Sequence, residues 1–189
     1  MKKIGIFFGT DTGSTRLIAK KIYKKLGNDI ADKPVNINRI ELDDIMRYDA
    51  IILGTPTYGS GNLPGRTTGM QSDSWSEILP VLGFENFSGK KIAIYGLGDQ
   101  DKYHQTFANA LRSIYDVLKS KGASIIGAWP TNGYTFSSSS AVIDNSFVGL
   151  VIDQSNQGLL TEQRIDAWLE QIIPELLNAC EESVNKIEA

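Results

Sequence analysis

Five short apolar runs recur along the chain, and each is nearly continuous rather than alternating. They are IGIFFG (4–9), AIILG (50–54), KIAIYG (91–96), SIIGAW (124–129) and FVGLVI (147–152). A strand with one face in water alternates apolar and polar residues. A strand covered on both faces does not, and such strands belong to parallel sheets packed between helices. The more polar PVNINRI (34–40) does alternate and predicts an edge strand.

Amphipathic helical patterns fill the intervals. TRLIAKKIYKKL (15–26) places Leu17, Ile18, Ile22 and Leu26 near one face, and Gly27 and Asn28 stop it. SWSEILPVL (74–82) starts with Ser74 as its N-cap. QTFANALRSIYDVLKSK (105–121) puts Phe107, Leu111, Ile114 and Leu118 on one stripe, ended by Gly122. TEQRIDAWLEQIIPELLN (161–178) opens with Thr161 and carries Ile165, Trp168, Leu169 and Ile172, with Pro174 expected to kink or divide it. Strands alternating with helices make βαβ units. The expected fold is therefore α/β, a doubly wound parallel sheet with helices on both faces.

No internal repeat or linker is visible, so residues 1–189 read as a single domain. Two stretches break the alternation. Residues 130–146, PTNGYTFSSSSAVIDNS, are polar and read as an insertion that interrupts or follows the fifth strand. Residues 58–73 are rich in Gly and turn residues, and loops of that length in a compact domain are usually functional.

Composition excludes several classes. With 41% hydrophobic and 22% charged residues the chain supports an ordinary core. A net charge of -3 argues against a nucleic-acid binder, which would show a basic stripe. The single cysteine, Cys180, excludes an internal disulfide and a thiolate cluster, and the single histidine, His104, excludes a His-rich metal site. His104 is expected to face solvent at a helix start, and Cys180 to pack on the terminal helix. MKKIGIFFG begins like a secretory leader, but its apolar run stops at Gly9 and Thr10 without a cleavage site. No apolar stretch reaches the roughly 20 residues of a membrane span. The expectation is a soluble, cytoplasmic protein with no membrane partner.

In open α/β sheets ligands bind outside the carboxyl ends of the strands. Three loops there are unusual. The first is GTDTGST (9–15), with Thr10, Asp11, Thr12, Gly13, Ser14 and Thr15 leading into a helix. A helix N-terminus attracts anions, and the hydroxyls add donors. Gly13 is followed by Ser14 and Thr15 rather than by Lys, which excludes the nucleoside-triphosphatase loop. The bland alternative is a capped turn. The other two loops are TPTYGSG (55–61) and GLGDQDKY (96–103), which carry Tyr58 and Tyr103. For either tyrosine alone, packing on its own loop is the favoured reading. Together the loops offer a phosphate cradle and two aromatic plates, which suit a mononucleotide with a flat ring. Arg16 stands next to the cradle and is expected to point outward.

These residues resemble the flavodoxins, specifically the long-chain type, over nearly the whole chain. GTDTGST resembles the family's phosphate loop. TPTYG resembles the loop on the inner flavin face, and GLGDQDKY the loop with the outer tyrosine. WPTNGYTF and the polar segment before FVGLVID resemble the insertion that splits the fifth strand. The resemblance implies a five-stranded sheet of order 2-1-3-4-5 and one noncovalently bound FMN. It implies a monomeric low-potential electron carrier, not an enzyme, cycling between semiquinone and hydroquinone. The implied cofactor residues are Thr10 to Thr15, then Thr55, Pro56, Thr57, Tyr58 and Gly59, then Gly96, Gly98, Asp99 and Tyr103, with Asp153 toward the ribityl side. The Gly59 carbonyl is implied as acceptor for the flavin N5 proton. Implied partners are redox proteins such as a ferredoxin/flavodoxin-NADP reductase or other oxidoreductases, and, from the long 59–73 segment, nitrogenase. The rivals are an FMN-dependent reductase of the same fold and a flavin-free signalling domain. GSGNLPGRTTG has no acidic residue, and Lys102 and His104 flank Tyr103. The flavin face is expected to be less acidic than is usual in the family.

Overall fold

The computed structural model describes residues 3–185. Its central sheet contains Gly5–Phe8 (β1), Val35–Asn36 (β2), Ala50–Pro56 (β3), Lys91–Leu97 (β4) and Ser124–Ile126 (β5). All are parallel, in the order β2-β1-β3-β4-β5. Trp129–Pro130 (β6), Val142–Ile143 (β7) and Ser146–Phe147 (β8) then form a small antiparallel sheet of order β6-β8-β7. The chain returns as Leu150–Ile152 (β9). β5 pairs with residues 91–93 of β4, and β9 pairs with residues 95–97 along the same edge. The fifth sheet position is thus one strand cut in two by the insertion.

The helices are Ser14–Leu26 (α1), Leu42–Met46 (α2), Trp75–Leu82 (α3), Ala110–Ser120 (α4), Gln154–Gln157 (α5) and Thr161–Asn185 (α6). They bury the two faces of the sheet separately. Ile6, Phe8, Ile52 and Tyr95 pack with Ile18, Ile22, Ile165, Trp168 and Ile172 of α1 and α6. Phe7, Ile51, Leu53 and Ile94 pack with Trp75, Leu79, Leu111, Ile114 and Leu118 of α3 and α4. Successive strand residues point to opposite faces, so covering both faces demands apolar residues at every position.

Several local expectations change. FVGLVI is not one strand: Phe147 belongs to the insertion sheet, and only Leu150–Ile152 joins the main sheet. SIIGAW likewise ends as a main-sheet strand at Ile126, because Gly127 turns at φ 80. A Cβ on Gly127 would stand 2.6 Å from the Trp168 indole nitrogen. α4 begins at Ala110 rather than 105, since Ala108 has φ 56. His104 is exposed but lies in turns before the helix, with its ring against Ser137 Oγ at 2.8 Å. Leu17 is 52% exposed, whereas its neighbour Ile18 is in the core. Cys180 is buried on α6.

Helix α6 continues through Pro174. Pro174 and Glu170, whose carbonyl loses its partner, are both exposed, so water can serve that carbonyl. At α3 the Ser74 amide donates to Glu77 Oε2 at 2.9 Å, but the Ser74 hydroxyl has no partner. The edge strand shrinks to Val35–Asn36, and the short helices α2 and α5 carry no periodic pattern by which to anticipate them.

One close approach positions the ligand end of the sheet. The fully buried Tyr95 on β4 lies across Gly54 on β3, and its hydroxyl donates to the Thr15 carbonyl at 3.1 Å. A Cβ on Gly54 would stand 2.1 Å from Tyr95 Cζ. Gly54→Ala is therefore expected to destabilise the fold by about 1–3 kcal/mol, the usual range for overpacking. Urea unfolding checks it, and an unchanged midpoint would refute the account.

Candidate functional site

The carboxyl ends of β1, β3, β4 and β9 open into a cleft of about 230 Å³. Thr10, Thr12, Ser14 and Thr15 form its first wall, Pro56, Thr57 and Tyr58 its second, and Gly98, Asp99 and Tyr103 its third. All three unusual loops therefore meet at one place. Leu97, Gln154 and Ser155 also line it and were not anticipated.

The first loop closes on itself. Gly13 has φ 95, and its amide donates to Thr10 Oγ1 at 3.0 Å. This left-handed residue turns the chain into α1 with no side-chain cap. The first-turn amides of Ser14, Thr15 and Arg16 consequently lack an intrahelical acceptor. Thr15 Oγ1 is buried without a partner, and so is Thr57 Oγ1 on the next loop. Buried hydroxyls ordinarily find a partner, and leaving one unmet costs about 1–3 kcal/mol. Two such groups in one cleft mark a place built to receive acceptor atoms.

The second loop is a tight turn. The Tyr58 amide donates to the Asn62 carbonyl at 2.9 Å, and the Asn62 amide returns to the Tyr58 carbonyl at 2.8 Å. Gly59 and Gly61 supply its positive φ values of 49 and 97. Burial pushes the Tyr58 phenol up in pKa, and the nearby Asp11 carboxylate adds to this. The backbone at Asp11 and Thr12 acts in the opposite sense.

The third loop is held by two carboxylates. Asp99 Oδ1 accepts from the Lys102 amide and from Asn156 Nδ2, each at 2.9 Å. The Lys102 amide and then Asn156 hold its carboxyl below the usual carboxylate range. The Tyr103 amide donates to the Asp99 carbonyl at 2.9 Å, which fixes the ring's carrier. Lys102 Nζ lies 5.2 Å from the Tyr103 ring centroid.

Asp153 stands behind the cleft. It is fully buried and accepts from the Gln100 amide and the Asn156 amide, both at 3.0 Å. Its carboxylate caps α5 and pins the third loop, so its role is to place Gln154 and Ser155. The signal for it was available: an Asp three residues before an Asn, right after a strand, reads as an N-cap. Thr55 is likewise buried, with its hydroxyl on the Pro56 carbonyl at 2.9 Å. Gly96 packs beneath α4, where a Cβ would meet Leu111 Cγ at 2.6 Å. Asp11 and Gly13 line a neighbouring polar cleft, and Gly59 an open groove outside Tyr103. Arg16 is exposed, as expected. Among the described residues no cluster of His, Cys, Asp and Glu could hold a metal ion.

Comparison with known proteins agrees with this architecture. A family model described as flavodoxin matches residues 6–168, which includes every loop of the cleft. A flavodoxin of Klebsiella pneumoniae is 54% identical over 172 residues, spanning 91% of this chain and 97% of the relative. Flavodoxin 1 of Escherichia coli K12 is 43% identical over 173 residues, spanning 91% of this chain and 93% of the relative. The crystal structure of Fusobacterium nucleatum flavodoxin bound to flavin mononucleotide is similar with a TM-score of 0.83 at 32% identity. That likeness covers 93% of this chain and 99% of the other. The chain belongs to the flavodoxin family, and its interrupted fifth strand is that of the long-chain type.

Proposed function

We propose that the cleft holds one FMN and that the protein is a low-potential electron carrier. The observation that carries this reading is the pair of buried, unpartnered hydroxyls, Thr15 Oγ1 and Thr57 Oγ1, in a cleft walled by Tyr58 and Tyr103. When bound, FMN supplies one- and two-electron redox chemistry. The chain's own residues bind and screen it. The amides of the first α1 turn and the hydroxyls of Thr10, Thr12, Ser14 and Thr15 receive the phosphate through dipoles. Tyr58 and Tyr103 cover the two ring faces, which leaves no face for a nicotinamide and supports a carrier over a reductase. Gly98 and Asp99 meet the polar edge of the ring, and Gln154 and Ser155 close the side. The Asp99 carboxylate and the two electron-rich tyrosine faces oppose added negative charge in the cleft, which keeps the potential low.

Its partners are redox proteins. A ferredoxin/flavodoxin-NADP reductase as donor, and nitrogenase among the acceptors, belong to the same proposal. So do a monomeric state and a cytoplasmic location. No helix among the described residues is long and apolar enough to cross a membrane.

Titration of the apoprotein with FMN, followed by quenching of flavin fluorescence, tests the reading. Tyr103→Ala is expected to weaken binding by about 1–3 kcal/mol, the range for loss of one stacking ring. Thr15→Val is expected to weaken FMN by a similar amount, about 1–3 kcal/mol, for the lost phosphate donor. It should leave riboflavin affinity unchanged, because riboflavin has no phosphate. Equal losses for both flavins would remove Thr15 from the cradle.

The third loop carries a pH dependence. A carboxyl with depressed pKa stabilises its loop above the unfolded value of about 3.9 and loses that contribution as pH falls through the folded value. The Lys102 amide resonance is therefore expected to hold its position down to about pH 4 and to move only below it. Asp99→Asn should flatten the titration, and a midpoint above about 4 would contradict the hydrogen-bond account.

A further inference from the structure

Helices α1 and α6 lie side by side and run in the same direction. Lys21 pairs with Glu162, while Lys25 pairs with Glu162 at 3.0 Å and with Asp166 at 2.5 Å. That register puts the first turn of α1 beside the turn 158–160 that leads into α6. α1 contains Arg16, Lys20, Lys21, Lys24 and Lys25 and no acidic residue. The ion pairs engage Lys21 and Lys25. Arg16, Lys20 and Lys24 are exposed and have no carboxylate partner among the described residues. They recur every four residues and so form one stripe on the helix surface.

Arg39, also exposed and without a carboxylate partner among the described residues, extends the stripe. It lines with Arg16 a polar cleft of about 390 Å³ beside the phosphate loop, in which Asp11 is the acidic member. Like charges at this spacing repel by a few tenths of a kcal/mol per pair. Lys24 gains from the helix dipole in the last turn of α1, but Arg16 stands in the first turn, where the dipole disfavours a cation, and each i,i+4 pair repels. Arg16 and the repeated like-charge spacing break local rules without gain to the fold, which marks a functional surface.

Leucines crown the same end. Leu159 is 100% exposed, Leu17 52% and Leu160 39%. The segment that carries Leu159 and Leu160 begins with Gln154 and Ser155, which line the cofactor cleft. An exposed apolar patch joined to a charged stripe and continuous with the cleft combines the two kinds of surface from which protein interfaces are built. We propose that the stripe Arg39, Arg16, Lys20 and Lys24, with Leu17, Leu159 and Leu160 at its head, docks an acidic surface of a redox partner protein. Docking there would hold a partner against the phosphate flank of the cleft, with opposite charges speeding the encounter. The inference rests on the electron-carrier reading and names the chemistry of one partner.

The acidic haem protein cytochrome b5 serves as probe for the FMN-loaded protein. In an amide NMR titration at low salt, signals of residues 16–24 and 158–160 are expected to shift and saturate, and binding should weaken as salt screens it. The exposed double reversal K20E/K24E leaves the cradle and the α1–α6 ion pairs intact. It is expected to weaken cytochrome b5 binding at least tenfold without changing FMN affinity, with K20Q/K24Q intermediate. Leu159→Ser should weaken binding about threefold. Equal affinity of the reversed variant, or shifts confined to Tyr103 and the 59–62 turn, would overturn the proposal. So would sedimentation with phosphatidylglycerol vesicles in the absence of any shift by cytochrome b5. Binding at the stripe with no haem reduction by the reduced protein would instead tell against the carrier reading and leave the docking surface standing.

Discussion

Tyr95 is the strut on which the ligand end of the fold rests. Its ring crosses the sheet over Gly54, and its hydroxyl holds the Thr15 carbonyl in the first turn of α1. One buried side chain thus fixes the height of the phosphate loop relative to β3 and β4. The glycine exists because the ring needs its space, with a Cβ only 2.1 Å from Tyr95 Cζ. Burial also pushes the Tyr95 phenol far up in pKa, so the hydroxyl remains a donor under all native conditions. Opposite it, Trp75 donates to the Gly54 carbonyl at 2.8 Å. Gly54 is therefore gripped from both faces of the sheet, and the loop that follows it, 55–61, starts from a fixed point.

The insertion braces the other side of the cleft. Tyr134, Phe136 and Phe147 pack with Phe107 at centroid distances between 5.3 and 5.9 Å. The Tyr134 hydroxyl donates to the Val151 carbonyl at 2.5 Å, and burial pushes that phenol up to about 12. The Arg164 guanidinium lies 4.0 Å from the Tyr134 centroid. The insertion also supplies the Thr135 amide to Gln100 Oε1 at 2.6 Å. Gln100 thus ties the third loop both to the insertion and, through Asp153, to the end of β9. What reads in the sequence as an interruption of the sheet is the buttress of the loop that carries Tyr103.

The sheet was legible because burial on both faces leaves a plain signature, a run without alternation. The three ligand loops were legible as unusual stretches after strand ends, and the order of the strands followed from the family resemblance that GTDTGST, TPTYG and GLGDQDKY carry. Failures cluster where a tertiary contact overrides local pattern. FVGLVI looked like one strand, yet Gly149 has the Ile94 carbonyl 2.1 Å from where its Cβ would be, and the chain changes sheets before it. Leu17 was grouped with Ile18, Ile22 and Leu26, yet at about 3.6 residues per turn it stands on the opposite side of α1 from Leu26, and it is 52% exposed. Asp153 was read as a ligand contact because its burial and its hydrogen bonds to Gln100 and Asn156 lie in the third dimension.

The distribution of cations explains why the phosphate loop has none. A lysine in the cradle would place a fixed positive charge beside the ring, offset the negative environment set by Asp99, and raise the potential. Dipoles from α1 and hydroxyls would hold a phosphate without that consequence. The cations instead begin at Arg16, one residue beyond the cradle, and continue outward along α1. Arg16 still stands close, its guanidinium 3.5 Å from where a Cβ on Gly13 would be, whereas Lys20 and Lys24 lie one and two turns farther along α1, where solvent screens them more. The same helix thus separates two electrostatic tasks along its length. On the proposed reading its N-terminus receives an anion through dipoles, and the net charge of its exposed face runs away from that site, from Arg16 to Lys24.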